Sequence, residues 1–296
     1  MVPLGLAVGV FDGVHRGHQQ LLDVLASTCR DRGARSVVVT FDPTPRELFQ
    51  PDSAPRWLTD PDERVALLQA RVEVVQVWAF TREVADLTAD EFLDRVEARA
   101  DGRIELLVGG PDLAIGRDRH ARDGELRAIA QRRRATLDLL PEAAFDGQPI
   151  RSGVIRNLIE RGDVAAAARL LGRSPGLTGW VERGHGRGRT IGVPTANLRC
   201  RPGRLLPAHG VYVSRASVEG AIHPAVTNVG VRPTIDGSRV IVEVHLLDFS
   251  ADLYDRSIEI TFEKRLRDEQ RFPDLNALVH QIRRDIEVAR AYFRAT

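Results

Sequence analysis

The feature that most constrains this chain's fold is a change of rhythm near Gly172. Before it, apolar runs of strand length alternate with stretches of helical spacing. Residues 6–11 form a short apolar run ended by Asp12 and Gly13, and 19–29 carry Leu21, Leu22, Val24 and Leu25 at helical spacing, with Gly33 beyond as a stop. The alternation continues with strands over 36–41, 72–80 and 104–108 and helices over 62–70 and 88–100, the last opened by a Thr88–Glu91 capping pattern. Repeated βα units predict an α/β domain with a doubly wound parallel sheet, whose ligands bind beyond the carboxyl ends of the strands. After an Arg-Ser-Pro-Gly linker at 173–176 the runs become short, β-type and separated by Gly and Pro: 179–182, 210–216, 225–229, 240–249 and 257–262. Their even spacing predicts a small β-barrel. Leu275, Leu278, Val279, Ile282, Ile286 and Ala289 then stripe a terminal helix. The expected domains are 1–172 and 173–296.

A length of 296 residues suits two domains. With 42 basic against 41 acidic residues the net charge is +1, which gives no electrostatic case for a nucleic-acid or anionic-membrane partner. No apolar run approaches the roughly 20 residues that cross a bilayer, and no basic segment precedes the first apolar stretch as in a signal peptide. Cys29 and Cys200 lie too far apart for a metal-ligand spacing or a disulfide framework, which fits a reducing cytoplasm. A homo-oligomer is left open.

Two strings carry chemistry. The first is GVFDGVHRGH over 9–18, set between the first strand and the first helix. A helix N-terminus presents unpaired N–H groups and partial positive charge, which suits a phosphate. Gly13 and Gly17 let the backbone approach a ligand, and His15 and His18 are placed to donate to phosphate oxygens as charge builds in a transition state. Two histidines alone would more simply be caps or surface residues. The complete string, with Gly9, Phe11 and Asp12, is far more specific. It resembles the His-x-Gly-His signature of the nucleotidylyltransferases, in the form found in prokaryotic FAD synthetases, the bifunctional riboflavin kinase/FMN adenylyltransferases.

Further segments extend the resemblance. FDPTP at 41–45 stands where the family has Phe-Asp-Pro-His-Pro, GPDLAIG at 110–116 where it has Gly-x-Asp-Phe-x-Phe-Gly, and IRSGVIR at 150–156 where it has Ile-Ser-Ser-Thr-x-Ile-Arg. The resemblance implies a Rossmann-like domain, with Asp112 and Ser152 at the nucleotide and Arg156 among the catalytic residues. Thr44 replaces a histidine, Leu113 and Ile115 replace aromatics expected near the flavin, Arg151 replaces a serine, and Gly153 replaces a threonine. Each lost donor beside a triphosphate would cost about 1–3 kcal/mol.

The second string is GHGRGRTIGVPTAN over 184–197. Gly184, Gly186, Gly188 and Gly192 form a loop whose N–H groups suit phosphates, together with Arg189 and Pro194. Thr195 and Asn197 offer oxygens suited to Mg2+. It is not a Walker A loop, because the Lys-Ser/Thr pair is missing. The string closely resembles the riboflavin kinase signature. The likeness runs on through 210–213, 228–234, 243–249, 253–254 and 271–272. Glu243 stands in an alternating row with Ile241, His245 and Leu247, opposite an apolar row of Val240, Val242, Val244 and Leu246. A carboxylate in such a partly desolvated row suits a general base for an alcohol nucleophile. The resemblance independently places the catalytic glutamate there.

The implied activity is phosphorylation of riboflavin by ATP to FMN, followed by adenylylation of FMN to FAD with release of pyrophosphate. ATP is co-substrate, Mg2+ is cofactor, and riboflavin and FMN are substrates. Two alternatives stand beside it: a diverged paralogue whose first domain serves another substrate, and a non-catalytic flavin- or nucleotide-binding protein.

Overall fold

The computed structural model describes residues 1–184, 188, 191–234 and 237–295, with 232–234 and 237–239 described as backbone only. The chain forms two compact units, Met1–Ser152 and Gly153–Thr296.

In the first unit the elements run β1 (Val2–Val8), α1 (Arg16–Arg32), β2 (Arg35–Phe41), α2 (Pro45–Phe49), α3 (Pro61–Gln69), β3 (Val74–Trp78), α4 (Arg82–Ala85), α5 (Ala89–Ala100), β4 (Gly102–Gly109), α6 (Asp123–Arg133), β5 (Thr136–Leu139) and a small hairpin of β6 (Ala144–Phe145) and β7 (Gln148–Pro149). The sheet order is β3-β2-β1-β4-β5, and every pairing is parallel. Both faces are covered, as a parallel sheet requires. Leu22 and Leu25 of α1 and Leu68 of α3 pack with Ala7, Val38 and Leu106 on one side. Phe92, Leu93 and Val96 of α5 and Leu126 and Ile129 of α6 pack with Leu6, Val39 and Ile104 on the other. The expected doubly wound sheet is present. The order reverses direction between β1 and β4, so the crevice between the loops after these two strands is the topological switch point. The 9–18 string follows β1 directly, and the 110–116 segment follows β4.

The second unit begins with α7 (Ser152–Glu160, its first residue closing the first unit) and α8 (Val164–Leu171). Six strands follow: β8 (Gly176–Glu182), β9 (Ala196–Cys200), β10 (Gly210–Val218), β11 (Ala221–Thr234), β12 (Gly237–Leu246) and β13 (Ser257–Arg267). They close a barrel in the order β10-β11-β12-β9-β8-β13. Glu219 and Gly220, both at positive φ (49° and 85°), turn the β10–β11 hairpin. Leu177, Tyr212, Ala225, Val244, Ile260 and Phe262 fill the barrel together with Val164 of α8. The Ala208 N–H also donates to the Ile159 carbonyl. These contacts part the chain at Ser152–Gly153, whereas the change of pattern along the sequence falls at Gly172.

The terminal helix α9 (Leu275–Ala295) lies on the outside of the barrel. Its Ala289, Ile286, Tyr292 and Phe293 pack on Val211, Val213, Val226 and Leu247. The apolar stripe is only partly used this way: Leu278, Val279, Ile282 and Ile286 remain half-buried and Leu275 is exposed. An incompletely covered apolar face beside a cavity marks a place for a ligand.

Candidate functional sites in the two units

The 9–18 string folds as a strained turn. Phe11, Gly13 and Val14 all take positive φ (53°, 84° and 37°), and for Phe11 and Val14 this is an unfavourable backbone state. Long-range hydrogen bonds hold it. The buried Asp12 carboxylate accepts from the Leu58 N–H at 3.0 Å and the Thr59 N–H at 3.2 Å, and the Thr59 hydroxyl accepts from the Gly13 N–H at 3.1 Å. Ser152 donates to the Asp12 carbonyl at 3.0 Å. Behind the turn, the buried Arg64 donates to the Phe41 carbonyl at 2.9 Å. Burial pushes its guanidinium below the ordinary value, against the opposing pull of Asp12.

His15 caps α1, its Nδ1 accepting from the His18 N–H at 3.3 Å. With Nδ1 an acceptor, the neutral ring carries its proton on Nε2. The two imidazoles stack at 3.6 Å between centroids and 15° between planes. Phe11 meets His18 edge-on at 5.2 Å. A methyl group at Gly17 would lie 3.3 Å from His15 Nδ1, so a larger residue there would crowd the cap. His18 Nδ1 is shut from solvent with no hydrogen-bond partner among the described residues. Burial, and then the neighbouring His15, hold the His18 ring well below its ordinary value of 6.5. A buried ring nitrogen with no protein partner among the described residues, at a helix start and beside a second imidazole, offers a hydrogen-bonding atom to a polar ligand.

The remaining first-unit residues divide. Gly9 precedes the turn, and a methyl there would meet the Phe11 ring at 3.2 Å. Thr44 is the N-cap of α2, its N–H bonded to Glu47 at 2.7 Å. Ile115 is buried in the core, Leu113 packs against that core, and Asp112 is exposed. Ile115 therefore serves packing. Arg151 is exposed and paired with Glu142. Arg156 falls on α7, in the second unit.

In the barrel unit, the register does the positioning. Glu243 of β12 pairs with Asn197 of β9 on one side and Asn228 of β11 on the other. Pleating sends Val242, Val244 and Leu246 into the barrel, while Glu243 and His245 face a cavity of about 590 Å3. Thr195, Asn197, Asn228 and Tyr254 line the same cavity, as do Gly184 and Gly188. Its other wall is the apolar face of α9, through Leu275, Leu278, Ile282 and Ile286. His245 Nδ1 lies 2.8 Å from the Pro194 carbonyl and ties β12 to the segment that leads into β9. A methyl at Gly184 would sit 2.4 Å from Asn197 Nδ2, so the loop backbone closes directly on that amide. Gly192 is exposed at positive φ (74°). Gly186 and Arg189 lie outside the described residues.

Sequence reasoning missed Thr59, which braces the histidine turn, Arg64, which holds the Phe41 carbonyl at the end of β2, and Arg267 and Asp285, which line the barrel cavity. Asp285 carried a readable signal, an acidic residue on the apolar face of a predicted helix.

Known proteins resemble this chain over both units. Residues 3–154 match the FAD synthetase family and 171–293 the riboflavin kinase family. The bifunctional riboflavin kinase/FMN adenylyltransferase of Pseudomonas fluorescens is 38% identical over 285 residues, covering 96% of this chain and 91% of that protein. That of Escherichia coli K12 is 37% identical over 296 residues, covering 98% and 93%. A crystal structure from Streptococcus pneumoniae, described as a macrolide-efflux protein, superposes with a TM-score of 0.88 at 32% identity, covering 98% of this chain and 95% of that one. That description stays with that protein. Among the described residues here, no helix is long and apolar enough to cross a membrane.

Fold and sites together define a nucleotidylyltransferase-like unit followed by a riboflavin kinase-like barrel. The chain belongs to the bifunctional riboflavin kinase/FMN adenylyltransferase family.

Proposed function

We propose that this chain makes FAD from riboflavin in two steps, one in each unit. In the barrel, the 5′-hydroxyl of riboflavin attacks the γ-phosphorus of ATP; the hydroxyl proton passes to Glu243, and ADP leaves. In the parallel-sheet unit, a phosphate oxygen of FMN attacks the α-phosphorus of a second ATP, and pyrophosphate leaves. The first nucleophile is an alcohol and benefits from a base. The second is already anionic near neutral pH and needs orientation and charge neutralisation. Glu243 serves the first requirement. His15, His18 and the helix N-terminus serve the second.

The observation that carries the reading is the barrel cavity itself, where Glu243 shares one polar wall with Thr195 and Asn197, facing the apolar wall of α9. The polar wall suits triphosphate and hydroxyl; the apolar wall suits a flavin ring. Thr195 and Asn197 are hard oxygen donors, fitting Mg2+. No cluster of three or more His, Cys, Asp or Glu able to hold a metal exists among the described residues. An ion held by Thr195 and Asn197 would be shared with the nucleotide's phosphates, whose charge it would neutralise. We propose a reducing cytoplasm for the chain, from the wide separation of Cys29 and Cys200 in the sequence.

The direct test is incubation of the purified chain with riboflavin, ATP and Mg2+, followed by chromatography of the flavins. FMN and FAD are expected; riboflavin remaining unchanged would refute the reading.

A further inference from the structure

The wall of α9 that faces the barrel cavity contains one buried acid. Asp285 is only 5% exposed, among Leu278, Ile282 and Ile286. Its partner is Arg267, at the end of β13 and opposite Val211 of β10. Arg267 Nη2 donates to Asp285 Oδ2 at 2.8 Å and Nε donates to the same oxygen at 3.0 Å, while Gln281 donates to Oδ1 at 2.8 Å. The remaining Nη1 donates to the Asp268 carbonyl at 3.0 Å, and the guanidinium lies 5.7 Å from the Phe272 ring centroid. Both charged residues line the cavity.

An ion pair is a poor way merely to glue a helix to a barrel. Apolar residues of similar volume usually hold as well or better, because two charges must be stripped of water. What a forked guanidinium–carboxylate contact adds is direction. Here it fixes the start and end of one stretch of wall. Arg267 closes β13, Asp285 sits three turns into α9, and the chain between them supplies Glu269, Gln270, Phe272, Leu275 and Leu278 to the cavity. The loop after β8 and the Thr195–Asn197 turn are built from other segments.

We infer that Arg267 and Asp285 are a positioning pair for riboflavin: they set the angle of α9 and the course of the 268–274 loop, and so the width of the slot that takes the flavin ring. The inference rests on the kinase reading above. Loss of the pair weakens flavin binding while leaving the ATP side and the chemical step in place.

The test uses the full-length chain and three variants: Asp285→Asn, Arg267→Lys, and Arg267→Leu combined with Asp285→Leu. The KM values for riboflavin and Mg·ATP, the kinase kcat, and FAD formation from supplied FMN are measured for each. Asp285→Asn and the double variant are expected to raise the riboflavin KM about tenfold or more with kcat and the ATP KM nearly unchanged. Arg267→Lys, which keeps charge and loses the fork, gives a smaller rise. The apolar double variant guards against a folding artefact, because it keeps the packing and removes only direction. FAD formation from FMN reports that the first unit stays intact. An unchanged riboflavin KM in the double variant, or equal rises in both KM values, would overturn the inference. A wild-type chain that forms no FMN overturns the kinase reading and this inference together, a result separable from either of those.

Discussion

Glu243 and Asn197 face each other across the antiparallel register of β12 and β9. A proposed base and a proposed metal ligand are thus locked side by side by backbone hydrogen bonds, not by loop conformation. The expected consequence is that Glu243→Gln keeps the fold and the metal-ligand geometry and loses the base. FMN formation should fall by about 10²–10⁴-fold. FAD formation from supplied FMN should be unaffected, and both rates are read by flavin chromatography.

On its other side Asn197 pairs with Glu182 of β8, which makes the backbone just beyond β8 sensitive to a single carbon. With a Cβ at Gly184 falling 2.4 Å from Asn197 Nδ2, Gly184→Ala must displace the amide or the loop. Kinase activity should drop about tenfold or more, mainly through the KM for Mg·ATP, with little change in thermal stability. Titration of the variant with Mg2+ at fixed ATP measures the effect. A wild-type Mg2+ dependence would show that Asn197 does not contact the ion.

In the first unit, Thr59 clasps the strained turn by accepting from Gly13 N–H at 3.1 Å. Thr59→Val keeps the shape and leaves that buried donor unpaired, a cost of about 1–3 kcal/mol. Urea denaturation should show the loss, and adenylyl transfer should fall with it. Thr59→Ser should restore both.

His18 gives the unit a pH dependence of definite sign. Its folded value is depressed below the ordinary 6.5, so the unfolded chain binds a proton that the native chain does not. This contribution to stability is fully present above 6.5 and is lost as pH falls from there toward the depressed value. Urea midpoints measured between about pH 7.5 and pH 5 should decline for the wild type and flatten for His18→Asn. Parallel curves for the two would mean that His18 titrates normally.

The parts legible in the sequence are those carried by contiguous residues. The α5 cap at Thr88 and Glu91 forms as its pattern indicates, with Thr88 N–H donating to Glu91 at 2.8 Å. The histidine string sits at a strand-to-helix turn, and the alternation around Glu243 sends alternate residues to core and cavity. Other elements gave weak signals. The buried residues of α6 are only Leu126, Ile129 and Ala130, in a segment otherwise rich in charge. β5 is four residues at a sheet edge. β9 begins at Ala196, directly after Pro194 and Thr195, where proline and small residues read as loop. Thr59, Arg64 and the Arg267–Asp285 pair depend on contacts between distant segments, which local periodicity does not encode. Ile115, which the sequence alone left as a candidate near a ligand, is buried in the core.

The claim that two separate sites act in sequence is tested most directly by mixing two defective chains. Glu243→Gln alone should make almost no FAD from riboflavin, for want of FMN, and His18→Asn alone should stop at FMN. Combined with riboflavin, ATP and Mg2+, the mixture should make FAD, because each supplies the unit the other lacks. A mixture that accumulates no FAD, or a Glu243→Gln chain that makes FAD unaided at the wild-type rate, would contradict it.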